Sequence, residues 1–175
     1  MKSHVLLLAL VLAIPLLLAT ADEDAPAVAM KISTHAFSER RAIPERFTAD
    51  GKNVNPPLVI SGVPTEVKSL ALIVDDPDAP MGVWSHWLVW NIKPGTSAIE
   101  EDSVPAGAVV GRNDAGTAKY VGPSPPSGTH RYFFRLYALD TKLDLPAGSP
   151  RADLDAAMHG HILARAELLG RYGRE

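Results

Sequence analysis

An aspartate-rich turn bounded by prolines is the first feature of this chain with chemical potential. In the stretch DDPDAP, Pro77 and Pro80 have a fixed φ and favour extended conformations in the residues before them. The turn therefore holds the carboxylates of Asp76 and Asp78 stiffly, and little entropy is lost when such a turn binds a ligand. The simpler interpretation is that both carboxylates only cap the turn by accepting hydrogen bonds from nearby backbone amides.

Two histidines at the ends of apolar segments supply a second kind of chemistry. His86 lies in the run VWSHWLVW, and His130 opens another apolar run after a loop rich in glycine and proline. Taken singly, each histidine is typical of a satisfied core residue. Together with Asp76 and the backbone amides of Ser127 and Gly128, they predict one pocket that donates hydrogen bonds to phosphate or carboxylate oxygens.

The role of Asp76 in such a pocket has two interpretations. Its carboxylate either orients one histidine and favours the charged imidazole, or it faces the ammonium end of a zwitterion such as phosphoethanolamine. A zinc site made of Asp76, His86 and His130 is chemically reasonable. The ligand spacings HxE and HExxH are absent, however, so we predict no metal and no cofactor.

Catalysis has less support in the sequence than binding has. A histidine oriented by Asp76 is a usual kind of general base, and Ser85 and Ser127 are the candidate nucleophiles. Neither serine lies in a nucleophile-elbow motif such as GxSxG. We therefore predict a binding protein that is not an enzyme and has no catalytic residues.

The elements that must position these residues are predicted to be β-strands. Fifteen prolines and thirteen glycines divide the chain into short apolar segments, separated by turn clusters such as NVNPP, SGVPT and IKPGTS. Residues 70–74, 84–91 and 130–139 are nearly continuous in hydrophobicity and are predicted to be central strands covered on both faces. Beyond residue 149 the pattern suits either one helix or a helix that breaks at Gly160 before a strand.

The N-terminal residues have the pattern of an export signal. Lys2 precedes an apolar run of about 14 residues, which is shorter than the roughly 20 residues of a membrane-spanning helix and contains Pro15. The small residues ATA then form a cleavage site before an acidic stretch. We predict a signal peptide over residues 1–21, cleavage after Ala21, and a periplasmic or secreted protein with no membrane span; an uncleaved anchor is the alternative.

Composition predicts one disulfide-free domain after the signal peptide. Residues 22–175 have the length of a single domain with one core, and no repeat or linker divides them. The chain has no cysteine, so the core alone must stabilise it outside the cell. The net charge of −3 and the lack of a basic block predict that nucleic acid is not a partner.

Four stretches, taken in order, resemble the phosphatidylethanolamine-binding protein family, in its bacterial branch similar to Raf kinase inhibitor proteins. They are IPERFTADGKNVNPPLVISGVP, SLALIVDDPDAPMGVWSHWLVWNI, GRNDAGTAKYVGPSPPSGTHRYFFRLYALD and MHGHILARAELLGRYGR. The resemblance runs from about residue 31 to residue 174. The resemblance is specific because the motifs DPDAP, HW and GPxPPxGxHRYxF occur in the family's order and at its separations along the sequence. No single motif would establish it.

The resemblance implies a mainly β fold with a small pocket for phosphate-bearing or similar anionic groups. The implied fold is a β-sandwich-like domain with a large antiparallel central sheet and a short C-terminal helix near residues 151–159, followed by a strand over residues 162–169. Ser124 stands where bacterial relatives often carry cysteine, a change that leaves the loop prolines in place. The family's pocket motifs fall on Asp76, Pro80, His86, Tyr120, Pro125, Pro126, His130 and Tyr132.

Two functions follow from the residues and the resemblance together. The first is an exported binding or regulatory protein that recognises an anionic small molecule, a phospholipid headgroup or a phosphorylated peptide. The second is an inhibitor or scaffold that acts on a kinase or protease through its surface, with the pocket secondary. In either case we expect Asp76 to lie beside His86 at the mouth of the pocket, and Asp78 to cap the turn.

Overall fold

The computed structural model describes residues 29–174, and the predicted signal peptide over residues 1–21 lies outside the described residues. Within residues 29–174 the fold is mainly β, with eight strands, one α-helix and one turn of 3-10 helix. In chain order the elements are β1 Lys31–Ser33, the 3-10 turn Glu45–Phe47, β2 Leu58–Ser61, β3 Ser69–Asp76, β4 Trp84–Ile92, β5 Ala98–Ile99, β6 Val109–Val110, β7 Gly128–Leu139, α1 Arg151–Met158 and β8 Ile162–Arg174.

The strands form two antiparallel sheets. The larger sheet has five strands in the order β6-β4-β3-β7-β8, and the smaller has three in the order β1-β2-β5. The predicted strands at residues 70–74, 84–91 and 130–139 correspond to β3, β4 and β7. In the larger sheet β3 lies between β4 and β7. The predicted β-sandwich-like fold with a large antiparallel central sheet is confirmed.

The central strands differ in how completely they are buried. Every residue of β3 is buried, and so are most residues of β4. In β7 the residues alternate, because Arg131 is exposed and Phe133, Arg135 and Tyr137 are half-buried while their neighbours are buried. The prediction that residues 130–139 are covered on both faces was therefore wrong for the outer face of β7.

Two hydrophobic clusters lie on opposite faces of the larger sheet. The inner cluster joins Leu72, Trp87 and Phe134 of that sheet to Leu58 of β2 and Ile99 of β5. Through this cluster the smaller sheet packs against the larger one. The burial of each large apolar side chain contributes about 1.5–3 kcal/mol to the free energy of unfolding.

The outer cluster is covered by α1. It joins Ile73, Leu88 and Trp90 of the larger sheet to Leu154 and Met158 of the helix. Consecutive residues of a strand point to opposite faces, so β3 supplies Leu72 to the inner cluster and Ile73 to the outer one. The continuous hydrophobicity of this strand thus reflects burial on both of its faces.

The C-terminal residues form a helix and a strand, as the resemblance implied. The helix ends at Met158, and Gly160 follows with a φ of +80°, a conformation that glycine adopts without steric cost. β8 extends to Arg174 rather than ending at residue 169, and it pairs with β7 along its whole length. Within the described residues, no helix is long and apolar enough to cross a membrane.

Candidate functional site

A cavity of about 300 Å³, here called the pocket, lies where β3 ends and where β4 and β7 begin. Because β3 is antiparallel to both neighbours, the end of β3 and the starts of β4 and β7 meet at one edge of the sheet. Seven of the eight residues predicted for the site line this pocket: Asp76, Pro80, His86, Pro125, Pro126, His130 and Tyr132.

Tyr120 is the predicted site residue that the structure places elsewhere. It is buried in the inner cluster, where its hydroxyl donates a 2.9 Å hydrogen bond to the backbone oxygen of Phe47. Its ring lies edge-on to Trp87, with the ring centres 5.7 Å apart. Ser127 and Gly128, whose amides we expected to face a ligand, also lie outside the pocket lining.

Asp76 is the residue around which the pocket is organised. One carboxylate oxygen, Oδ1, accepts a 2.8 Å hydrogen bond from the amide of Asp78, and the other, Oδ2, accepts one of 2.7 Å from Nδ1 of His130. Asp76 and His130 are both buried. Because Nδ1 of His130 donates to Asp76, Nε2 is the ring nitrogen left for a ligand.

The expected roles of the two aspartates need correction. Asp76 pairs with His130 rather than with His86, and it also provides the turn cap that we assigned to Asp78. The carboxylate of Asp78 accepts hydrogen bonds from the amide and the guanidinium of Arg131 instead, at 2.7–2.9 Å. The Arg131 guanidinium lowers the pKa of Asp78 to about 2.

A β-bulge turns His86 towards the pocket. Trp87 lies opposite Val74, but Ser85 lies opposite the next residue, Asp75, so His86 is an extra residue in β4. A bulge of this kind commonly redirects a side chain near a binding site. As a result, His86 lines the pocket while the next residue, Trp87, packs into the inner cluster.

His86 is held in one orientation by the backbone. Its Nδ1 donates a 2.7 Å hydrogen bond to the carbonyl of Val121, which leaves Nε2 for a ligand. Its ring also packs edge-on against Tyr132, with 5.3 Å between the ring centres. Burial lowers the pKa of His86 below its usual value, so His86 is neutral at neutral pH.

The loop at residues 121–122 forms one wall of the pocket and is fixed by polar residues that the sequence did not reveal. The amide of Gly122 donates to Oδ1 of Asn53 at 2.7 Å, and the side chain of Asn113 donates to the carbonyls of His86 and Lys119. Asparagine in turn-rich sequence is common, so neither residue gave a signal. Gly122 is needed because a Cβ atom there would lie 2.5 Å from the backbone oxygen of Phe47.

Tyr132 and several small residues complete the lining. The Tyr132 hydroxyl is closed off from solvent and makes no hydrogen bond of good geometry, although Asp76 and the backbone of Ser124 lie near it. Burial raises the pKa of Tyr132 above its usual value, and the nearby Asp76 carboxylate raises it further. The lining residues that the sequence reasoning did not identify are Ala79, Trp84, Ala115, Val121, Gly122 and Ser124.

The charge of the pocket depends on protonation. Among the described residues, the lining groups that can carry charge near neutral pH are Asp76, His86 and His130, and the lining includes neither lysine nor arginine. The pocket therefore becomes positive only when both imidazoles bind protons. In the part of the chain that the structure describes, no three histidine or carboxylate side chains converge as a metal site would require.

A two-sheet β domain with a buried carboxylate–imidazole pair in a pocket at the strand ends defines a class of ligand-binding domains. The family model described as phosphatidylethanolamine-binding protein matches residues 33–173. The chain belongs to the phosphatidylethanolamine-binding protein family.

Relatives of known sequence and structure agree with this assignment. A UPF0098 protein of the archaeon Methanothermobacter thermautotrophicus is 55% identical, over 83% of this chain and 99% of the relative. A crystal structure of a phosphatidylethanolamine-binding protein homologue from Chlamydia trachomatis is 44% identical, with a TM-score of 0.80 over 84% of this chain and 99% of that chain. YbcL of E. coli, described as a new member of the mammalian family, is 31% identical, with a TM-score of 0.79 over 83% and 99% of the two chains.

Proposed function

We propose that this protein is an exported binding or regulatory protein whose pocket holds a small anionic group such as phosphate. The observation that carries the proposal is the buried Asp76–His130 pair beside His86 in a pocket of about 300 Å³. Each histidine uses Nδ1 for a protein hydrogen bond, so each keeps Nε2 for the ligand. An imidazole whose Nδ1 already donates can donate from Nε2 only after it binds a second proton, so each ring suits an anion in its protonated form, and binding of the anion and of the proton favour each other.

The carboxylate of Asp76 does not exclude an anion from this pocket. Both of its oxygens already accept hydrogen bonds, one from Asp78 and one from His130, so the negative charge is partly compensated. The remaining lone pairs suit an ammonium group. A zwitterionic headgroup such as phosphoethanolamine would therefore satisfy the histidines with its phosphate and Asp76 with its ammonium. The description of the matching family model favours the same headgroup.

We further propose that the site binds without catalysing a reaction. A nucleophilic mechanism through serine, threonine or tyrosine needs the side-chain hydroxyl within hydrogen-bond reach of the base. Among the described residues, neither His86 nor His130 has a serine, threonine or tyrosine hydroxyl as a hydrogen-bond partner. The export part of the proposal is supported by the signal-peptide pattern of residues 1–21.

The experiment is an NMR titration of the purified protein with O-phosphorylethanolamine, in which the ring signals of His86 and His130 are followed. We expect selective shifts of both rings and at least a roughly tenfold loss of affinity in His130→Ala, because a charge-assisted hydrogen bond is removed. His161→Ala is the matched control, since His161 is exposed and pairs with Asp140 outside the pocket. Unchanged His86 and His130 signals at millimolar ligand would disprove the anion pocket.

A surface-acting inhibitor or scaffold of a kinase or protease is the second candidate function. The observation in its favour is the turn after Asp78, where Met81 is 94% exposed and Val83 is 60% exposed at the rim of the pocket. Exposed apolar side chains near a site often contact a protein partner. Inhibition that is retained by His130→Ala but lost in Met81→Asp would favour this function over ligand binding.

A further inference from the structure

Four arginines line an open groove that shares no lining residue with the pocket. The groove has a volume of about 900 Å³ and is formed by residues 39–43, by Thr129 of β7 and by the C-terminal end of β8. We call it the arginine groove. Its basic residues are Arg40, Arg41, Arg171 and Arg174, and Glu39 is its acidic lining residue. This local positive charge contrasts with the net charge of −3 of the whole chain.

The main chain holds two of these arginines side by side. The amide of Arg171 donates a 2.9 Å hydrogen bond to the carbonyl of Arg41, and the amide of Ile43 donates one of 2.7 Å to the carbonyl of Arg171. Ala42 forms a parallel bridge with Arg171. The segment around Arg41 thus runs along the edge of β8, and Arg41 and Arg171 both line the groove on adjacent, hydrogen-bonded backbones.

Among the described residues, Arg41 and Arg171 are the arginines of the groove that have no salt-bridge partner. Arg174 pairs with Asp50, and Arg40 lies 3.9 Å from Glu39 in an exposed contact. In contrast, within residues 29–174 no carboxylate lies within salt-bridge distance of Arg41 or Arg171.

A further arginine, Arg131, lies on the strand beside the groove. Arg131 lies directly opposite Arg171 in the β7–β8 ladder, and like charges in opposite positions repel each other. Asp78 compensates Arg131 but does not contact Arg171. An anion bound in the groove would relieve the repulsion at Arg171.

We propose that the arginine groove docks an extended acidic segment of a protein partner. The planar guanidinium fork matches a carboxylate in a bidentate manner, and two forks on adjacent backbones suit successive acidic side chains of an extended chain. A membrane surface fits this groove less well, because interfacial binding needs apolar side chains that enter the lipid. The strongly exposed large apolar residues lie outside the groove lining: Met81, Val83, Val104 and Leu163.

Fluorescence anisotropy with a fluorescein-labelled octaglutamate peptide tests the proposal at about 20 mM salt, where screening is weak. We expect the wild-type protein to bind the peptide and to release it as salt is raised. The double variant R41E/R171E should lose at least about tenfold in affinity, since two attractive contacts become repulsive. The double variant R165E/K142E is the matched control, because it changes the net charge equally at exposed positions outside the groove. It should stay within about twofold of wild type.

Three outcomes would overturn the proposal. The first is an equal loss of peptide affinity in the R165E/K142E control, and the second is no loss of affinity in R41E/R171E. The third is binding of phosphatidylglycerol vesicles through Arg41 and Arg171 while the peptide does not bind. The milder variant R41Q/R171Q gives the same comparison if the charge reversal prevents folding. His130→Ala should bind the peptide as wild type does, so failure of the anion pocket and failure of the arginine groove are distinguishable.

Discussion

At the level of single residues, the two histidines of the pocket are held in different ways. His130 bonds the side chain of Asp76, whereas His86 bonds the backbone carbonyl of Val121. Both bonds use Nδ1, and both fix the tautomer that carries its free nitrogen at Nε2. The pocket therefore presents two similar Nε2 atoms to a ligand. A carboxylate holds one imidazole ring, and a neutral backbone carbonyl holds the other.

The buried His86 makes a testable contribution to the pH dependence of stability. Burial lowers its pKa in the folded state, so the unfolded chain binds a proton at the usual histidine pKa while the folded chain does not. Stability should therefore fall as the pH drops below about 6.5, because unfolding takes up a proton in that range. Urea denaturation at about pH 7.5 and about pH 5.5 measures this fall, which should be smaller in His86→Gln.

Two further measurements make this prediction sharper. His161→Gln is the control and should keep the wild-type pH dependence, because His161 is exposed. Sulfate, which keeps its charge over this range, should restore stability at the lower pH if the imidazoles bind anions. An unchanged pH dependence in His86→Gln would assign the effect to other groups.

The sequence predicted most of the lining of the pocket but not its hydrogen bonds. Asp76, His86 and His130 were recognisable because the prolines and the family motifs mark them, and the structure brings all three to one pocket. Which histidine bonds Asp76 depends on strand register and on the bulge at His86, and neither can be read from residue types. The placement of Tyr120 in the core depends on the same long-range packing.

At the level of elements, the neighbours Asp75 and Asp76 serve opposite faces of β3. Asp76 lines the pocket on the inner face. Asp75 is buried on the outer face, where it accepts hydrogen bonds from Nε of Arg135 in β7 and from Nη1 of Arg151 in α1, at 3.1–3.2 Å. This carboxylate therefore fastens the first turn of α1 to the sheet.

Asp75→Asn should lower the free energy of unfolding by about 2–4 kcal/mol, since it removes the charge that compensates two partly buried guanidinium groups. Asp155→Asn is the matched control. Asp155 is an exposed i,i+4 partner of Arg151, so its loss should cost no more than about 0.5 kcal/mol. Chemical denaturation of the three proteins measures both values. Equal stabilities of the two variants would show that Asp75 is not an anchor of α1.

The elements that the sequence predicted well are those with a continuous apolar pattern. β3 and β4 were predicted because both of their faces are buried. The short strands β1, β5 and β6 have two or three residues each, too few for a pattern to emerge. The end of β8 was missed because Arg171 and Arg174 follow glycine and resemble loop sequence, although pairing with β7 makes them a strand.

At the level of the whole molecule, the pocket and α1 lie on opposite sides of the larger sheet. The inner cluster supports the pocket through Trp87 and Tyr132, and the outer cluster is covered by α1 through Leu154 and Met158. The fully buried strand β3 separates the two clusters. This division suggests that the outer cluster stabilises the fold and that the inner cluster shapes the pocket.

Leu154→Ala tests this division of roles. Leu154 is fully buried, so its truncation should create a cavity under α1 and lower the free energy of unfolding by about 2–4 kcal/mol. The affinity for O-phosphorylethanolamine under native conditions should stay within about twofold of wild type, because no residue of α1 lines the pocket. Denaturation and ligand titration of the same variant give both numbers. A parallel loss of affinity would instead show that α1 is coupled to the pocket, and the contact from Arg151 to Asp75, next to Asp76, would be the physical route.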